Sequence, residues 1–186
     1  MKKLIMISLL LLLAGCSSTA PNRTYYQLTS DFSIDNLQLQ KVDNVAFIDS
    51  VTVASYLDTT GIVYQTDAIE YSTARNNLWL TALSNQIQQR VVTDLSVLLP
   101  NYFVTTEPVS NPRIRIKLYI DGFHGSYTGD AIIEGRWVIN YGNNNIVTKN
   151  IDARLRLSED GYAALVKTLS KGWQEEEIEL IRSIKW

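Results

Sequence analysis

With 186 residues, 46% of them hydrophobic, and a formal charge of −2, the chain is long enough for one packed domain and too short for two comfortable ones. Seventeen basic against nineteen acidic residues leave no basic stripe, which excludes nucleic acid and argues against anionic lipid head groups as electrostatic partners. A single cysteine and a single histidine exclude a disulfide framework and a Cys/His zinc site.

The chain opens with Lys2 and Lys3, followed by an unbroken apolar run from Leu4 to Leu13. That run is too short to cross a bilayer, which takes about 20 apolar residues, and has the length of a secretory signal. Leu13-Ala14-Gly15-Cys16 places two small residues before a cysteine at the cleavage point, as in a bacterial lipobox. Residues 1–15 are therefore expected to be removed and Cys16 to carry diacylglycerol and an N-acyl chain. No other cofactor and no metal are expected. Two or more acyl chains give stable anchoring, at about 0.8 kcal/mol per buried CH₂. Ser17, in place of an inner-membrane-retaining Asp, points to the outer membrane. Losing Lys2 and Lys3 leaves a formal charge of −4.

Residues 16–24 read as the lipidated cysteine and a small polar tether containing Pro21, reaching at most about 26–29 Å when extended. Residues 25–186 are expected to form one periplasmic domain held near its membrane, unable to span the periplasm alone. Tyr25 to Leu28 and Asn44 to Val53 have strand composition. Ile62–Thr66 and Ala68–Ser72 suit a hairpin around Thr66-Asp67. From Asn77 to Leu99 the period turns helical, with Trp79, Leu83, Ile87, Val91, Leu95 and Leu98 on one face, Asn76 or Asn77 as cap and Pro100 as stop. Tyr102–Thr106 is a further strand.

Arg113 to Ile120 alternates strictly, which places Ile114, Ile116, Leu118 and Ile120 inward and Arg113, Arg115 and Lys117 toward solvent. Ala131–Tyr141 and Ile146–Leu157 pair around the Gly142-Asn143-Asn144-Asn145 turn. Asp160 to Ile184 is a second long helix, capped by Ser158 or Asp160, with Tyr162, Leu165, Val166, Leu169, Trp173, Leu180, Ile181 and Ile184 along its inner face. The fold class expected is α+β: a mostly antiparallel sheet with two long helices packed on it, as a single domain.

Catalytic chemistry finds little support. His124 and Ser126 lie two apart but lack a G-x-S-x-G elbow and read as an exposed polar loop. Glu175, Glu176 and Glu177 fan out by about 100° each around a helix, so they cannot converge on one ion and read as a solvated face. Gly122, Gly125, Gly129 and Gly135 mark either a surface where a partner approaches the backbone or a strongly bent hairpin on which Phe123, Tyr127 and Trp137 pack.

Short motifs in order then carry a resemblance. The lipobox precedes Tyr25-Tyr26-Gln27-Leu28; Val63-Tyr64-Gln65-Thr66 follows, then Asn76-Asn77-Leu78-Trp79 and Leu99-Pro100. Phe123-x-Gly125-x-Tyr127-x-Gly129 leads to Gly135-x-Trp137, and Asp160-Gly161-Tyr162 precedes Trp173. In this arrangement the chain resembles the PqiC (YmbA) family of ABC-type transport auxiliary lipoproteins. The resemblance implies no enzyme activity and no catalytic residues. It implies an outer-membrane component of an MCE-type system that moves phospholipid or other hydrophobic molecules between membranes, with an MCE-domain periplasmic channel protein as partner. Matching the symmetry of such a channel predicts a ring-like homo-oligomer. Tyr25, Tyr26, Tyr64, Asn76, Asn77 and Trp79, with Phe123 and Tyr127, are the expected partner or subunit contacts. The alternative is a structural or assembly lipoprotein of another envelope complex that handles no lipid.

Overall fold

The computed structural model describes residues 22–33, 42–143, 145–184 and 186; the expected signal, Cys16 and most of the tether lie outside them. In chain order the elements are β1 (Thr24–Tyr26), β2 (Asn44–Val53), β3 (Gly61–Gln65), β4 (Tyr71–Trp79), α1 (Leu83–Leu98), β5 (Tyr102–Thr105), β6 (Ile114–Ser126), β7 (Asp130–Asn140), β8 (Ile146–Arg156) and α2 (Tyr162–Ser183).

The strand that organises the sheet is β6. Its alternation buries Ile114, Ile116, Leu118 and Ile120 under the helices. Along one side it pairs with β7. On the other it pairs first with β2 and then, near its end, with β3. The path β1-β4-β3-β6-β2-β5, with β7 and β8 beyond β6, makes one eight-stranded sheet. The class is α+β as expected, but the sheet is mixed and not mostly antiparallel: four of its seven described pairings are parallel. The reason is α1, which carries the chain back across the sheet so that β5 joins β2 in parallel; a long crossover permits what a tight turn cannot. The β3–β4, β6–β7 and β7–β8 hairpins are antiparallel.

Both helices cover one face of the sheet, α1 over β2 and β5 and α2 over β6, β7 and β8. Between helices and sheet runs an aromatic series: Trp79 beside Phe123 (centroids 6.5 Å apart), Phe123 beside Trp173 (6.2 Å) and Trp173 beside Trp137 (5.5 Å). Gly172 lets α2 sit down on the sheet, since a Cβ there would meet Leu155 at 2.7 Å and Ile133 at 2.9 Å. After β1 the chain crosses the helices as a strap: the Leu28 N–H donates to Gln86 Oε1, and the Thr29 N–H to Ser170 Oγ.

Several expectations change at the helix starts. Asn76, Asn77 and Trp79 belong to β4 and cap no helix; α1 begins at Leu83, after Ala82, without a side-chain cap. The Trp79–Leu83 spacing fits a helix, but pairing with β1 and β3 on both sides supplies the backbone partners of Asn77 to Trp79. Gly161, at φ 109°, precedes α2 in place of a Ser158 or Asp160 cap. Around Gly142 the expected turn forms, with the Tyr141 N–H donating to Asn145 O.

The acidic run on α2 is not a solvated face. Glu175 is exposed and Glu176 pairs with Lys149 at 3.4 Å, but Glu177 is fully buried. It faces Asp94 of α1, itself buried and held by Arg90. Neither Asp94 nor Trp173 Nε1 forms a hydrogen bond of ordinary geometry with Glu177. Burial, then the Asp94 charge, pushes the Glu177 carboxyl well above the usual range. The folded state therefore holds a proton that the unfolded chain releases, and stability falls as pH rises from about 4.3 through the raised value. Glu177→Gln is expected to flatten that fall, which cannot exceed about 1.4 kcal/mol per pH unit for one proton, and to raise the alkaline melting temperature. An unchanged pH slope in melting curves of the variant would rule this assignment out.

Candidate docking surfaces

The nominated residues fall into three groups. Tyr26, Asn77 and Tyr64 come together at the β1–β4–β3 side of the sheet. The Tyr26 hydroxyl donates to Asn77 Oδ1 at 3.1 Å, across the parallel register that sets Thr24 opposite Asn77. The Tyr64 ring lies over Gly125, where a Cβ would stand 2.6 Å from it, and its hydroxyl donates to Ser126 O at 2.8 Å. Gly125 is thus a position that only a residue without a side chain fills. Tyr162, at the start of α2, completes the cluster; burial, then the neighbouring Tyr64 and Tyr26, pushes its phenol up. Tyr64, Tyr162, Leu157 and Leu165 line a groove of about 290 Å³ here.

Trp79 and Phe123 form the second group and are core residues, so they meet no partner directly. Tyr25, Asn76 and Tyr127 are exposed but not gathered in one place: Tyr25 and Asn76 lie on β1 and β4, and Tyr127 lies in the β6–β7 turn. The glycine-rich stretch is the bent hairpin of the two readings, with Phe123 and Trp137 inside and Tyr127 outside.

The face of the sheet away from the helices carries a second cluster. Tyr71 meets His124 edge-on at 5.2 Å and Tyr56 at 5.3 Å. The Tyr56 hydroxyl donates to Asp121 O, and burial, with Tyr71, Glu134 and Asp121 adding, pushes its pKa up to about 12. His124 is buried within β6 and is not in an exposed loop, because β6 runs on to Ser126. Burial holds its imidazole below the ordinary histidine value. Its Nδ1 lies 2.9 Å from Gly125 O, whereas Ser126 Oγ accepts from Thr128, so the two do not form a nucleophile–base pair. Among the described residues no group of His, Cys, Asp and Glu is arranged to hold a metal. Arg115 and Lys117, expected in open solvent, are half-buried on this face: both reach Asp49, and Arg115 also lies over Phe47. Tyr56 and Tyr71 carried no sequence signal, since 15 residues separate them and only the fold of β2, β3 and β4 brings them together.

A cavity of about 570 Å³ lies at the other end of the sheet, between Arg113, Tyr141, Asn145, Val147, Ser183, Ile184 and Trp186. No described helix is long and apolar enough to cross a membrane.

Comparison with known proteins agrees with this architecture. A family model described as ABC-type transport auxiliary lipoprotein component matches residues 26–178. The intermembrane transport lipoprotein PqiC of Escherichia coli K12 is 32% identical over 185 residues, covering all of this chain and 98% of the relative, and the Shigella flexneri protein of that name matches equally. A crystal structure of an uncharacterized protein superposes with a TM-score of 0.77 at 30% identity, over 88% of this chain and 99% of the other. Protein XCC0632 from Xanthomonas campestris, at 14% identity, shares the fold with a TM-score of 0.66 over 85% of this chain and 92% of its own.

Proposed function

The chain belongs to the family of ABC-type transport auxiliary lipoprotein components, and from that premise we propose that it is the outer-membrane lipoprotein of an MCE-type intermembrane phospholipid transport system. Its signal is cut before Cys16, the new end carries diacylglycerol and an N-acyl chain, and the domain sits on the periplasmic face of the outer membrane. There it docks the far end of a periplasmic MCE-domain channel, as a ring-like homo-oligomer matched to the channel's symmetry. The observation that carries the reading is full-length similarity to relatives named as intermembrane transport lipoproteins.

The geometry favours docking over carrying. Acyl chains held by the protein would need an apolar interior space, whereas the space between helices and sheet is filled by Trp137, Trp173 and Phe123. The cleft around Arg113 and Trp186 and the groove around Tyr64 and Tyr162 mix polar with apolar walls. The same filled core supports a second reading, a structural or assembly lipoprotein that touches no lipid beyond its own anchor. Crosslinking in intact cells, purification through a tag after Trp186 and mass spectrometry separates the two. Recovery of an MCE-domain protein is the expected result, and recovery of an unrelated envelope complex in its place would overturn the transport reading.

A further inference from the structure

The sheet has two distinguishable ends, and β1 assigns one of them to the tether. β1 runs parallel to β4, and β4 runs away from the tip of the β3–β4 hairpin. Asn22 and Arg23, which lead into β1, therefore enter it from the side of that tip. Leu78, opposite Tyr25, also faces Gly61, and β3 ends four residues later at Gln65, about 13 Å along the strand. Gln65 lies opposite Ser126, so the β6–β7 turn shares this end. Ile114, at the other end of β6, is twelve residues away, or about 40 Å.

Each of the two turns at the tether's end presents an apolar side chain to solvent. Ile69, in the β3–β4 turn, is 89% exposed, and Tyr127, in the β6–β7 turn, is 51% exposed. Tyr71 stands beside them, also exposed. An isoleucine at a turn tip gains nothing from water. A tyrosine with an apolar ring and a polar hydroxyl suits the boundary between head groups and acyl chains.

Resting on the reading that Cys16 is lipidated, we propose that these two turns form a membrane-contact surface, with Ile69 and Tyr127 seated in the interface of a zwitterionic phospholipid bilayer. The tether from Cys16 to Thr24 spans at most about 26–29 Å. That is ample for the roughly 13 Å to the turns. Reaching the Ile114 end would need the tether fully extended and doubled back along the strands. At the contact end exposed Asp67, Glu70, Glu159 and Asp160 outnumber Arg156, whose guanidinium pairs with Asp130 beside the β6–β7 turn; the remaining negative excess favours zwitterionic over anionic lipid, since like charges repel across a Debye length. The cleft around Arg113 and Trp186 then faces away from the membrane, toward whatever the domain docks.

The full lipidated chain, reconstituted in vesicles of phosphatidylcholine and phosphatidylethanolamine, tests this. Acylated Cys16 is the chain's only native cysteine, so a polarity-sensitive fluorophore attaches selectively to Ile69→Cys, Tyr127→Cys or Phe103→Cys. Phe103 is exposed at the far end, opposite Val45. The expected result is a blue-shifted emission, and quenching by nitroxide-labelled lipids several-fold stronger at positions 69 and 127 than at 103. Equal quenching at all three, or the strongest at 103, would overturn the contact surface. Flotation of the same vesicles reads the anchor separately. A wild-type chain that fails to float removes the lipidation premise and the proposal with it, whereas one that floats with its turns unquenched removes the contact surface alone.

Discussion

A chain carrying Cys16→Ser behind an ordinary cleavable secretory signal in place of residues 1–15 is expected in the soluble periplasmic fraction, while the native chain stays with alkaline-washed membranes. The size of the effect follows from the anchor. One myristoyl chain binds a bilayer with an association constant of only about 10⁴ M⁻¹, and each further buried CH₂ adds about 0.8 kcal/mol. A diacylglycerol plus an N-acyl chain on Cys16 would hold the native protein without measurable exchange, and the variant would lose all of it at once. The foreign signal matters because an uncut Leu4–Leu13 run would itself retain the variant at a membrane. Metabolic labelling with palmitate should mark the native chain at the peptide beginning with Cys16 and leave the variant unlabelled. Label in the variant would place the acyl chains elsewhere.

Trp173→Ala is expected to cost about 3–5 kcal/mol, the range for removing a large aromatic from a core. Trp173 is 1% exposed and sits between Phe123 and Trp137, so its loss opens a cavity that two rigid rings cannot fill. A domain of this size loses about 2–4 °C of melting temperature per kcal/mol, which makes the expected drop roughly 10 °C. Tyr127→Ala, at an exposed turn, should stay within about 0.5 kcal/mol of the native domain. Denaturant titration of both variants, in the form released by Cys16→Ser, compares them under one condition. A Trp173→Ala domain as stable as Tyr127→Ala would mean that the aromatic series does not hold α2 to the sheet.

Where local periodicity governed the outcome, the sequence was readable. β2 lies on its expected residues, β6 alternates as written, and α2 follows its apolar stripe from Leu165 to Leu180. Misreadings cluster where a distant strand competes. Trp79 has helical spacing to Leu83 and Asn76 or Asn77 reads as the cap, yet β1, more than fifty residues earlier in the chain, pairs with Asn77 to Trp79 and keeps them in the sheet. Glu177 is polar by type and buried by position, because the α2 face that meets α1 is set by helix–helix packing that a single stripe does not record. His124 lies between Gly122 and Gly125, a spacing that reads as a loop, but β7 pairs with β6 beyond the bulge near Gly122 and keeps it in the strand.

The nominated contacts divide along the same line. Tyr26 and Asn77 meet across the parallel β1–β4 register, and Tyr64 is set over Gly125 by the parallel β3–β6 pairing, whereas Trp79 and Phe123 are aromatic for the sake of the core. What the sequence by itself determined is the family and the α+β class; these rest on short motifs in a fixed order and on periods of two and 3.6 residues. Only the tertiary structure decided the mixed sheet, the buried Glu177 beside Asp94, the Tyr56–Tyr71–His124 cluster and the parallel pairing of β1 with β4. Each of those depends on pairings between segments far apart in the chain, and no local pattern encodes which segments meet.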